Sequence, residues 1–129
     1  MTARMVNKPA TLDTIVATNL HADILSDLAA ALSGSLGIAP TANLNPERAF
    51  PSMFEPIHGS AFDIVGKGVA NPIATFWTAA MMLEHLGEEK SARRLMQAIE
   101  KTTAGGTLTP DLGGKAKTKD VTRAVIGAL

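Results

Sequence analysis

The sequence predicts an α/β fold. Two short apolar or β-branched runs, Leu12 to Thr18 and Thr41 to Leu44, read as strands. They alternate with longer segments of helical periodicity, each closed by glycine. Of the 129 residues 46% are hydrophobic and 19% charged, which supplies a core and argues against disorder.

Met1 to Val6 reads as the last turns of a helix, running into Asn7-Lys8-Pro9 with no preceding cap, as if the chain began inside a fold. After the Leu12 to Thr18 strand, Thr18 and Asn19 offer caps for a helix from about Leu20 to Leu32. Leu20, Ile24, Leu28 and Leu32 recur every fourth residue and are expected to face a core, with Gly34 and Gly37 as the stop. Pro40, Pro46 and Pro51 forbid helix until Met53-Phe54, which leads into a long loop. Asn71-Pro72 reads as an N-cap and first helical residue of a helix reaching His85. That helix is apolar nearly all round and is expected to be deeply buried. A second helix from about Glu88 to Thr103 turns Ala92, Leu95, Met96 and Ile99 inward and Arg93, Arg94 and Lys101 outward. Thr118 is expected to cap a final helix with Val121, Val125 and Leu129 on one face.

Composition narrows the function classes. Basic and acidic residues number 12 each and aromatics are 4%, so no basic stripe with interleaved aromatics marks a nucleic-acid surface. The absence of cysteine excludes a disulfide framework and thiolate metal sites. No apolar run is long enough to span a membrane and no signal-peptide core opens the chain, so the expected setting is the cytoplasm. Lys67 and Lys115 follow glycines, but Gly68 and Ala116 come next where a phosphate loop needs Ser or Thr. The ordinary dinucleotide fingerprint is also missing.

Two constellations remain. Phe54-Glu55-Pro56-Ile57-His58-Gly59-Ser60-Ala61-Phe62-Asp63, continuing through Gly66-Lys67-Gly68 to Asn71-Pro72, combines a strand end, a shaped loop and a helix start. Such an arrangement receives small polar ligands, because loop donors and a helix N-terminus come within reach; equally, it describes a surface turn rich in Gly and Pro. Asp23 and Asp27 lie four residues apart on the first long helix. That spacing turns about 40°, so both carboxylates leave one face. They suit a hard divalent cation, or are simply acids favoured near a helix start. His21 sits about 200° from Asp23 on the same helix and is a packing or rim residue.

Asn19-Leu20-His21-Ala22-Asp23-Ile24-Leu25-Ser26-Asp27 and Phe54-Glu55-Pro56-Ile57-His58-Gly59-Ser60 closely resemble motifs of the β-decarboxylating dehydrogenases, the isocitrate, isopropylmalate, tartrate and D-malate enzymes. The resemblance continues through Gly66-Lys67-Gly68-Val69-Ala70-Asn71-Pro72, Ala80-Met81-Met82-Leu83 and Asp111-Leu112-Gly113-Gly114. Ala42-Asn43-Leu44-Asn45-Pro46-Glu47-Arg48 is most similar to the tartrate/D-malate branch. Phe62 stands where the family usually has Pro, and His21-Ala22 replaces the common Phe-Gly.

This resemblance implies roles. Asp23 and Asp27 would hold Mg²⁺ or Mn²⁺, a Lewis acid toward the hydroxyacid and a stabiliser of the enolate left by decarboxylation. His58, Gly59, Ser60, Ala61, Asp63, Ile64 and Asn71 would bind NAD, with Glu55 at the border. An Asp63 carboxylate on the adenosine ribose favours NAD over the 2′-phosphate of NADP. The resemblance covers only the C-terminal third of a family enzyme. The family's catalytic Tyr and Lys, its substrate arginines and a further metal-ligand Asp are absent, so no catalytic residue is assigned here.

The implied fold is the C-terminal part of the two-domain isopropylmalate dehydrogenase-like architecture, an incomplete mixed sheet flanked by helices. Residues 1–36 would end the smaller, dimer-forming domain, and residues 37–129 would form the C-terminal segment of the cofactor domain. Unpaired sheet edges and an exposed apolar face are expected. The implied function is one portion of an NAD- and Mg²⁺/Mn²⁺-dependent oxidoreductase acting on a small hydroxydicarboxylic acid such as tartrate, D-malate or isopropylmalate. The chain would be inactive alone, and would work as a homodimer or paired with a complementary chain. Two alternatives stay open: a non-catalytic remnant pairing with a full-length relative, and an isolated adenine-nucleotide-binding module.

Overall fold

The computed structural model describes residues 1–129. Five α-helices carry the chain: α1 (Thr2–Asn7), α2 (Asn19–Leu32), α3 (Ile73–His85), α4 (Glu89–Ala104) and α5 (Thr118–Ala128). Between α2 and α3 lie two short strands, β1 (Pro40–Asn43) and β2 (Met53–Pro56). They pair antiparallel, with Thr41 opposite Glu55 and Ala42 opposite Phe54. Single 3₁₀ turns occupy Pro9–Thr11, Leu36–Ile38, Phe62–Ile64 and Pro110–Leu112. No helix is long and apolar enough to cross a membrane.

The core lies where α3, α4 and α5 meet. Ile73, Ala98, Ile99, Val121 and Val125 are buried together, and Ile38, Phe76, Leu95 and Met96 pack around them. The inward residues expected of α4 occupy this position, with Ala92 and Ile99 buried and Leu95 and Met96 half-buried. α3 also lies against both strands and the Leu36–Ile38 turn. Arg48, itself in a left-handed conformation, donates from Nη2 to the His85 carbonyl at 2.8 Å and so satisfies an open carbonyl at the end of α3. The Arg48 segment is thereby fastened to the helix. The His85 ring in turn meets Phe54 of β2 at 5.5 Å between centroids.

Several expectations are corrected. No strand forms over Leu12 to Thr18; the segment pairs with nothing and Val16 is 97% exposed. A strand needs a neighbour, and the two strands present use each other. Only this antiparallel pair is formed, so no parallel or mixed ladder exists. Leu20, Ile24 and Leu32 do not face a core: all three are exposed, while Leu25 and Ala30 are the buried residues of α2. α3 packs against α4 on one side and the strands on another, yet Trp77 and Met82 remain exposed, as do Leu86 just past its end and Leu129. α3 begins at Ile73 with Pro72 as the N-cap residue, yet the Asn71 side chain still caps, accepting from the Ile73 N–H at 3.0 Å. Thr118 is the first residue of α5, and its hydroxyl is used elsewhere, as described below. The turn there is closed by Asp120, which accepts from the Lys117 N–H at 2.9 Å.

These departures share one cause. Accessible surface is 8780 Å², whereas a compact 13.4 kDa monomer exposes about 6,500 Å². The excess is about 2,300 Å², and the large apolar residues left exposed include Val16, Leu20, Ile24, Phe50 and Phe62. Stability should therefore rest on the α3–α4–α5 junction. In urea titrations Ile99→Ala is expected to cost about 3 kcal/mol, while Ile24→Ser changes stability by less than about 0.5 kcal/mol and reduces self-association.

Candidate functional site

The loop after β2 is built from both ends. Its start is held to the sheet by the Ile57 N–H, which donates to the Ala39 carbonyl at 3.1 Å. Its far end is held to α5: the Thr118 N–H donates to the Gly68 carbonyl at 2.9 Å and the Thr118 hydroxyl to the Ala70 carbonyl at 2.5 Å. Between these anchors Ala61 adopts φ +43°, a left-handed conformation unusual for a residue with a Cβ. It turns the chain into the Phe62–Ile64 helical turn.

The structure brings the sequence-predicted residues onto this one loop. His58, Gly59, Ser60, Ala61 and Asp63 are exposed, Ile64 and Asn71 half-buried, and Glu55 exposed on β2 just before the bend. His58 Nδ1 lies 3.1 Å from the Gly59 carbonyl, an orientation that fixes the ring locally. Asp63 has no ion-pair partner, the only such pair in the chain being Arg93–Glu89 on α4. A Cβ added at Gly59 would meet nothing within 4 Å, and its φ is not left-handed, so the folded chain itself does not require glycine there. Phe62, at the position where the related pattern carries Pro, is 86% exposed.

Asp23 and Asp27 lie apart from this loop, exposed on α2. No third His, Asp or Glu joins them. Their two carboxylates fit part of a Mg²⁺ or Mn²⁺ shell, which takes six oxygen donors, and the rest would have to come from substrate, water or another chain. His21 faces the helix start, its Nδ1 2.9 Å from the Thr18 hydroxyl, and takes no part in the pair.

A hydrogen-bonded cluster meets the end of the loop at Asn71. Asp111 Oδ2 accepts from the Ser35 hydroxyl at 2.5 Å and from Asn71 Nδ2 at 2.9 Å. Partial burial pushes this carboxyl up, but hydrogen bonds from Ser35, Asn71 and its own backbone outweigh burial and hold it below the ordinary aspartate value of 3.8. Ser35 and Asp111 are 76 residues apart, so no local pattern could pair them. Because the folded value is depressed, the stabilisation is present above the unfolded value and lost as pH falls through the folded one. The stability difference between wild type and Asp111→Leu should accordingly be constant over about pH 5–8 and shrink below 3.8, as read by denaturation at each pH.

Residues 1–125 match the isocitrate/isopropylmalate dehydrogenase family. The chain is 74% identical over all 129 residues to the "Probable tartrate dehydrogenase/decarboxylase" of Agrobacterium vitis, covering 35% of that protein. It is 53% identical to the decarboxylating D-malate dehydrogenase of Escherichia coli, with 95% of this chain matched to 36% of that one. Isocitrate dehydrogenase from Methylococcus capsulatus superimposes on 98% of the chain with a TM-score of 0.90 at 42% identity, over 38% of its own length. The chain thus spans about a third of the length of the relatives it matches. With the motifs, the fold and these matches in agreement, the chain belongs to the isocitrate/isopropylmalate dehydrogenase family.

Proposed function

We propose that this chain supplies the adenosine-binding loop and two of the metal-binding carboxylates of an NAD- and Mg²⁺- or Mn²⁺-dependent hydroxyacid dehydrogenase. Its substrate is a small hydroxydicarboxylic acid of the tartrate or D-malate type, in keeping with the relatives named for those compounds. The observation that carries the reading is the loop from His58 to Asp63: exposed, anchored at both ends, and bearing an Asp63 carboxylate that no cation in the chain claims. A free carboxylate accepts hydrogen bonds from paired ribose hydroxyls and repels a 2′-phosphate, which selects NAD. Gly59 leaves room for the ligand to approach the backbone. Bound NAD supplies the oxidant and a bound divalent ion supplies Lewis-acid polarisation of the substrate oxygens.

In this reading residues 1–36 belong with the smaller, dimer-forming domain and residues 37–129 with the cofactor domain. The chain holds no tyrosine, and acid–base chemistry comes from a complementary portion. Pairing with that portion, or with a second copy of this chain, would also cover the exposed residues Val16, Leu20 and Ile24. The isolated chain turns over no substrate.

The test is a set of single substitutions read against NAD and Mn²⁺ separately. Asp63→Ala should weaken NAD binding by about tenfold or more and leave Mn²⁺ binding unchanged. Asp23→Ala should do the reverse. Gly59→Val should leave the melting temperature unchanged and abolish NAD binding by filling the approach. Equal NAD affinity in wild type and Asp63→Ala contradicts the assignment, as does NADH formation by the purified chain with metal and tartrate.

A further inference from the structure

Asp111 has no role in the site as proposed, yet two stretches distant from it in sequence meet at its carboxylate. Ser35 comes from the turn after α2, Asn71 from the start of α3, and Asp111 from the Pro110–Leu112 turn. One carboxylate oxygen, Oδ2, takes both the Ser35 hydroxyl and the Asn71 amide. The chain of bonds continues outward in both directions. Ser35 Oγ accepts from the Gly37 N–H at 2.9 Å, and Asn71 Oδ1 accepts from the Ile73 N–H at 3.0 Å.

Direction in this chain is fixed. Rotating the Asn71 amide by half a turn would set Oδ1 against the Asp111 carboxylate and Nδ2 against the Ile73 N–H, two repulsive contacts in place of two bonds. Gly37 clears the space: a Cβ there would lie 2.8 Å from Asp111 Oδ2 and 2.9 Å from Asn71 Cβ. A hydrogen bond to a charged acceptor is worth more than a neutral one, so Asp111 is the strong member of the group.

We propose that Asp111 is the positioning residue of the nucleotide loop, fixing its C-terminal end through Asn71 without itself meeting the ligand. The inference rests on the nucleotide reading of residues 58–71. An anchored loop has already lost the conformational freedom that binding would otherwise remove, so affinity depends on Asp111.

AMP is the probe, titrated calorimetrically into wild type, Asp111→Asn and Asp111→Leu, with amide hydrogen exchange on each protein. Asparagine keeps one carbonyl oxygen able to accept both donors, whereas leucine of similar size accepts neither. Asp111→Asn is expected to hold AMP within about threefold of wild type, and Asp111→Leu to lose about tenfold or more. In Asp111→Leu, exchange should quicken at the Ile73 N–H, which donates to Asn71 Oδ1, and stay slow at Ala98, Ile99 and Val125. Ser35→Ala, which removes one of the two donors, should loosen the same segment to a smaller degree and serves if Asp111→Leu does not fold. Unchanged exchange at Ile73 overturns the proposal, as does loss of AMP binding in Asp111→Asn equal to that in Asp111→Leu. Failure of the wild-type chain to bind AMP overturns the nucleotide reading instead, and the exchange pattern then decides alone whether Asp111 anchors the segment.

Discussion

The hydrogen bonds that Asp111 accepts from Ser35 and Asn71 join three stretches far apart in sequence at the end of the loop after β2. The two strands are four residues each, and an isolated antiparallel pair is marginal in water. The loop that follows β2 has no regular structure of its own beyond one 3₁₀ turn. What gives it a defined path is attachment to the helical core at its far end: Thr118 of α5 to Gly68 and Ala70, and Asp111 to Asn71. Ser35 brings the end of the α2 segment to the same place. The sheet, the loop and the turn after α2 are thus referred to one rigid body, the packed junction of α3, α4 and α5.

The two halves of the candidate site stand on unequal footing. The residues assigned to adenosine occupy one loop and one strand end, positioned by contacts made within this chain. The carboxylates assigned to metal are carried by a helix whose apolar residues Leu20, Ile24 and Leu32 lie open to solvent. Two carboxylates satisfy only part of a divalent shell. A chain spanning about a third of its relatives' length with about 2,300 Å² more surface than a compact monomer of its mass is therefore expected to bind nucleotide more independently than metal.

Sequence reasoning recovered what is locally encoded. The α4 pattern at Ala92, Leu95, Met96 and Ile99 led directly to the buried face, because a 3.6-residue period says which side of a helix is apolar. Gly34 and Gly87 marked turns with positive φ where they were expected. The loop residues His58 to Asp63 were recognisable as a cluster of special types. The same reasoning failed where the outcome depends on what lies opposite. Leu20, Ile24 and Leu32 carry the periodicity of a core face, and Leu12 to Thr18 the composition of a strand, but periodicity cannot supply a partner. Thr118 has the type of a capping residue and instead spends its hydroxyl on Ala70, 48 positions away. The Ser35–Asp111 contact left no trace in the linear pattern beyond the presence of a short DLGG motif.

The most direct measurement of this account is calorimetric titration of the 129-residue chain with NAD and with Mn²⁺, each alone and then together, alongside its mass in solution. NAD binding is expected to be saturable and unaffected by Mn²⁺, and Mn²⁺ binding to be weak until a complementary chain is present. Tight Mn²⁺ binding by the monomeric chain, or NAD binding that appears only with the metal, would contradict the division of the site into a self-supporting adenosine half and a dependent metal half.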